Sequence, residues 1–151
     1  MARRKINLKG FKLKSGGVSA DLNVSRFNRQ YAEAQYELDN QVMTDMVPYM
    51  PFLSGTFVDL TRAESAALAG SGMVVAAVPP SGRFLYYGKL MIYPETGSAW
   101  APLGGKKVVT DTPLNYTKTF HPNVQAEWFD AAKADHIKAW IDIVKEKAGG
   151  G

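Results

Sequence analysis

The chain has 151 residues, a formal net charge of +4 and no cysteine. A single domain of this length buries about two-thirds of its unfolded surface, and the absence of thiols excludes disulfides, thiolate catalysis and cysteine-bound zinc. No apolar run approaches the roughly 18 residues of a membrane span, and no apolar stretch follows the N-terminal charges as a secretory signal requires, so the expectation is a protein made in the cytosol with no membrane partner.

The charge is unevenly placed. Arg3, Arg4, Lys5, Lys9, Lys12 and Lys14 fall in the first fourteen residues with no acid among them, and the rest of the chain sets 12 basic against 14 acidic residues. Residues 1–16, ending in Ser15-Gly16-Gly17, are predicted to form an extended basic arm that orders against a partner. Its six cations are candidate contacts to DNA or to an acidic protein surface. Residues 17–151 are predicted to form one domain.

Val18 to Val24 alternates apolar and polar residues, the pattern of a half-buried strand. Ser25 can then cap a helix predicted over about 26–47. Phe27, Tyr31, Ala34, Leu38, Val42 and Met46 recur in steps of three and four and form one apolar stripe. Ala32, Tyr36, Met43 and Val47 form a second stripe on nearly the opposite side. Two stripes imply burial on both sides, inside the domain or against another subunit; Tyr36, Met43 and Val47 are the candidate subunit interface. Pro48 removes a backbone donor and ends the helix.

Pro48 to Gly55 reads as a rigid turn anchored by Tyr49, Phe52 and Leu53. Phe57–Leu60 reads as the start of a strand, and the alanine-rich residues 63–69 as one or two helical turns. Met73–Val78 reads as an apolar strand ended by Pro79-Pro80. Phe84–Tyr93 is the most β-prone run, with Gly88 marking a bulge or kink. Residues 94–105 read as a long loop that could reach a neighbouring ring, 106–110 as a short strand and 111–120 as polar and extended. A second long helix is predicted over about 123–147. Its apolar face carries Ala126, Phe129, Ile137, Trp140, Ile141 and Val144; Asp130 and Asp135 lie toward its start and Lys145 and Lys147 at its end, as the helix dipole favours. The fold class is α+β: a small, mainly antiparallel sheet packed with two long helices.

Chemistry is sparse. His121 and His136 have no ligand-spaced partner. Ser54 and Ser81 sit in turns without a nucleophile-elbow pattern. Gly70-Ser71-Gly72 and Gly104-Gly105-Lys106 lack the spacing of phosphate-binding loops. Asp39 with Asp45, and Asp130 with Asp135, read as solvated helix acids. No catalytic, cofactor-binding or metal-binding residue is singled out, and no enzyme is expected. A nucleic-acid-binding module is the rival reading, with Tyr86, Tyr87, Lys89 and Tyr93 as a stacking platform, but a net negative body argues against a broad phosphate-binding face.

Several segments carry a resemblance. Gln35-Tyr36-Glu37-Leu38-Asp39-Asn40-Gln41-Val42 precedes Pro48-Tyr49-Met50-Pro51-Phe52-Leu53-Ser54-Gly55-Thr56. Tyr86-Tyr87-Gly88-Lys89 follows, and then His121-Pro122 with Glu127-Trp128-Phe129-Asp130-Ala131-Ala132-Lys133-Ala134. In that order, over most of residues 25–148, they resemble the minor capsid protein family of tailed bacteriophages, which is similar to head–tail joining (neck or tail-completion) proteins. Pro79-Pro80-Ser81-Gly82-Arg83 stands where members often read Pro-Tyr-Ala-Arg. The resemblance implies a structural subunit without catalytic residues. It implies a homo-oligomeric ring of six or twelve copies at the head–tail junction of the virion, between portal or adaptor and tail-tube or terminator proteins, around a channel for genomic DNA. Within the same neck, a tail terminator is the alternative station.

Overall fold

The computed structural model describes residues 7–149. Two long helices form its frame: α1, Ser25–Met46, and α4, Trp128–Lys147. They run antiparallel, since Gly149 lies against Gln30 while Asp135 meets Tyr49 just past the far end of α1. Between them in sequence come α2 (Thr56–Leu68), α3 (Gly82–Tyr87) and the strands β3 (Lys89–Ile92) and β4 (Val108–Pro113). Ahead of α1 lie β1 (Phe11–Ser15) and β2 (Val18–Leu22).

The α+β class holds, with two separate two-stranded antiparallel sheets in place of one small sheet. β1 pairs with β2 from Phe11↔Leu22 to Ser15↔Val18. Residues 11–15, predicted to belong to an extended arm, are therefore a strand. Gly16 (φ 56°) and Gly17 (φ 83°) are not a flexible break but the two-residue turn between the strands, because consecutive positive φ values suit the twist of a hairpin.

The core gathers at one end of the helix pair. Val42, Met43, Met46, Tyr49, Met50, Val58, Trp128, Ala132 and Trp140 form one buried cluster. It joins the C-terminal end of α1 to α4 from Trp128 to Trp140, with α2 alongside. The opposite end of the pair carries no such cluster.

Three β predictions give way to tertiary demands. Phe57–Leu60 lies inside α2, whose buried residues Val58, Thr61 and Ser65 keep helical spacing. The alanine-rich sequence that follows favours helix, and a helix once nucleated extends at little cost. Residues 73–78 form no strand. Their backbone groups bond to side chains instead: Val75 donates its N–H to the Ser65 hydroxyl at 3.0 Å, and the Ala76 carbonyl accepts from the Trp128 indole at 2.8 Å. The β-prone run 84–93 is divided by Gly88, which caps α3 at φ 64°. There a Cβ would meet the Ala126 Cβ at 2.8 Å. Only 89–92 is a strand, and the bulge read at Gly88 appears as a register shift between Lys89 and Met91.

α4 starts at Trp128, five residues after the predicted position. Gln125 and Glu127 donate their N–H groups to the carbonyls of Tyr49 (3.2 Å) and Tyr86 (2.7 Å), which ties the approach segment to the core in a non-helical path. Glu127 has φ 50°, the sole positive φ outside glycine among the described residues.

Candidate assembly surfaces

Both histidines and the paired helix acids have partners inside the fold. The Nδ1 of His121 lies 2.7 Å from the Met50 carbonyl, with its ring against Phe52 at 5.0 Å. His136 sets its ring edge-on to Tyr49 and lies 4.0 Å from Asp45. The acids read as solvated are structural acceptors. Asp45 accepts from the Trp140 indole (2.7 Å) and from Gln41 (2.9 Å); Asp135 accepts from the Tyr49 hydroxyl. Asp39 is buried and accepts the N–H groups of Gly70 (2.8 Å) and Gly72 (3.0 Å) and the Gln35 amide (2.7 Å). The two glutamines are helix neighbours of their acids, but the other partners lie 31 to 95 residues away, where chain order gives no sign of them. Among the described residues no group of three or more His, Asp or Glu side chains could hold a metal ion, and no helix is long and apolar enough to cross a membrane.

The four residues of the stacking platform do not share a strand. Tyr86 and Tyr87 belong to α3, Lys89 opens β3, and Tyr93 follows it. Tyr86 packs edge-on against Trp128 at 4.8 Å. Its hydroxyl is pushed up to about 12, first by burial and then by the charge of Asp130 and the hydrogen bond to it. Tyr49 is raised by its bond to Asp135 and by burial, and Tyr116 by burial. A phenol whose folded pKa lies above its unfolded value near 10 holds its proton more tightly when folded. The stability it contributes is full below about pH 10 and declines from there to about pH 12. Denaturant midpoints measured from pH 8 to 12 are expected to stay level and then fall, and Tyr86→Phe to shallow the fall.

The candidate interface separates. Met43 is 6% exposed and sits in the core, Val47 packs against the core from the side, and Tyr36 is 53% exposed beside Gly70. Of the second stripe of α1, Met43 is buried, Val47 half-buried, and Ala32 and Tyr36 exposed. The turn after α2, held by Asp39, lies against Tyr36 and Gln35. A charge at Met43 would disrupt folding before it reported on a subunit contact. Of the basic arm, Arg3, Arg4 and Lys5 lie outside the described residues. Lys9, Lys12 and Lys14 are exposed, and Lys12 pairs with Asp21 at 3.1 Å.

Two apolar surfaces are left uncovered. In the β1–β2 ribbon, paired residues share a face. Phe11, Leu13, Val18, Ala20 and Leu22 occupy one side and Lys12, Lys14, Ser19 and Asp21 the other. The four large apolar side chains are 48% to 71% exposed. The second surface is a groove of about 400 Å³ between α1 and α4, lined by Leu38 and Val42 on one side and Phe129, Ile137, Trp140 and Ile141 on the other. Trp100 and Leu103 add two exposed side chains on the loop after β3.

The total area agrees. The chain exposes 10700 Å², where a compact monomer of 16.5 kDa exposes about 7,500 Å².

A family model described as minor capsid protein matches residues 17–148. No curated protein and no solved structure matches the chain.

Proposed function

Because the chain belongs to the phage minor capsid protein family, we propose that within the virion it forms a homo-oligomeric ring at the head–tail connection, between portal or adaptor and tail, around the path of the DNA. The coarse part of that role, a structural virion protein, follows from the family itself. The observation that carries the finer part is the accessible surface. The chain exposes about 40% more than a self-sufficient monomer of its mass, and two apolar patches of different shape stand open on it. Unlike patches that mate head to tail generate closed rings when the rotation between copies is right. Six or twelve copies would fit the symmetries of tail and portal, and the polar side of the ribbon, where Lys14 stands beside the Lys12–Asp21 pair, would stay open to phosphate or to an acidic neighbour.

Particles carrying a tagged copy of this chain are expected to show the label at the single tail vertex, and to retain it on tailless heads. Label on detached tails alone would make the chain a tail terminator. Label over the shell, or its absence from purified particles, would overturn the neck assignment.

A further inference from the structure

We propose that the apolar face of the β1–β2 ribbon of one copy seats in the α1–α4 groove of the next copy. The pairing rests on the ring reading in requiring a repeated, head-to-tail contact.

An isolated two-stranded ribbon has little stability in water, yet this one keeps an apolar side that its own chain leaves open. It is held out from the body rather than left loose. The Asn28 side chain brackets the backbone of Leu8, accepting its N–H at 2.7 Å and donating to its carbonyl at 2.9 Å. Gly10 passes so close to the Leu22 carbonyl that no Cβ would fit there.

The groove is of matching form. Five residues of strand span about 17 Å, and the run of α4 from Phe129 to Ile141 spans about 18 Å. A ribbon of two strands lays its side chains into a channel between two helices, apolar against apolar, and turns its lysines outward. The ribbon does not fill the groove of its own chain: both its strands are exposed along their length, and Ile137 and Ile141 of the groove are open. A second copy is the occupant that brings one ribbon for every groove. The area also fits, since a standard interface removes about 1,600 Å² in total from the two partners. Each ring subunit takes part in two such contacts, within its excess of about 3,000 Å² over a compact monomer.

Two variants break opposite halves of the contact. Leu13→Asp charges the ribbon and Ile141→Glu charges the groove; both positions are exposed, so circular dichroism and melting temperature should match the unaltered chain. In sedimentation velocity the unaltered chain is expected to associate, and each variant alone to remain monomeric, its dissociation constant raised about 100-fold or more. Mixed at equal concentration, the variants retain one intact ribbon and one intact groove between them. They are expected to form a one-to-one dimer that grows no further. Assembly of either variant like the unaltered chain, a mixture that stays monomeric, or an unaltered chain that never associates would each overturn the pairing. None of these outcomes bears on where labelled particles carry the chain, so the two readings fail separately.

Discussion

Replacing Trp128 with alanine is expected to lower stability by about 3–5 kcal/mol and the melting temperature by about 10 °C or more, the range found for large aromatic side chains deleted from cores. Trp128 is fully buried. Its ring meets Phe57 of α2 edge-on at 6.0 Å and Tyr86 of α3 at 4.8 Å, and its indole N–H holds the Ala76 carbonyl at 2.8 Å. One side chain thus joins α4 to three segments that have little secondary structure to hold them in common. Truncation opens a cavity and also strands the Ala76 carbonyl, which costs about 1–3 kcal/mol in a buried setting. Trp128→Phe separates the two effects by keeping most of the bulk and losing the donor. It should fall between the parent and the alanine variant in urea midpoint. Equal midpoints for the parent and Trp128→Ala would mean that this end of the helix pair is not the core. Total stability of a domain is about 5–15 kcal/mol, so the alanine variant should be largely absent from assembled particles as well.

How much of this was legible in the sequence depends on whether a residue's partner lies near it in the chain. α1 was readable because Phe27, Tyr31, Leu38, Val42 and Met46 repeat within one helix, and its observed limits of 25 and 46 fall one residue from those expected. The Val74–Ala77 run was misread because its β-branched residues fit a strand, while the groups that satisfy its backbone come from Ser65 and Trp128, 10 and 52 positions away. Pro122-Asn123 is a sound local signal for a helix start, and the carbonyls of Tyr49 and Tyr86 override it. The ribbon shows a third cause. Phe11-Lys12-Leu13-Lys14 alternates as cleanly as Val18 to Leu22, and two glycines lie between the runs; the density of lysine drew attention to charge and away from period. The double stripe of α1 is buried on its second side only toward Met43 and Val47, with Ala32 and Tyr36 exposed, because periodicity cannot say whether a neighbour belongs to the same chain, and for Met43 it does.

The same limit explains Asp39, the acid whose removal is expected to have the second-largest effect. On a helical wheel it looks like any solvated helix acid. In the folded chain it is 4% exposed, and one of its oxygens accepts two backbone N–H groups from the turn after α2. Gly70 and Gly72 have φ of 82° and 76°, the left-handed region where a residue without Cβ is favoured. Their N–H groups thereby converge on a single acceptor. Asp39→Ala removes that acceptor and leaves the half-buried Gly70 donor and the exposed Gly72 donor without it, a loss of about 1–3 kcal/mol, the cost of one unsatisfied buried group. Asp39→Asn keeps a carbonyl oxygen for the two donors, gives up the charge that strengthens both bonds, and should cost roughly half as much. Ser71→Ala in the same turn is the control. Its hydroxyl is buried with no hydrogen-bond partner among the described residues, so deleting it should leave the midpoint nearly unchanged. In urea titration Asp39→Ala is expected to unfold first, Asp39→Asn next and the parent last, with Ser71→Ala beside the parent. If Asp39→Ala matches the parent, the turn is not held by this carboxylate, and its place against Tyr36 and Gln35 comes from packing alone.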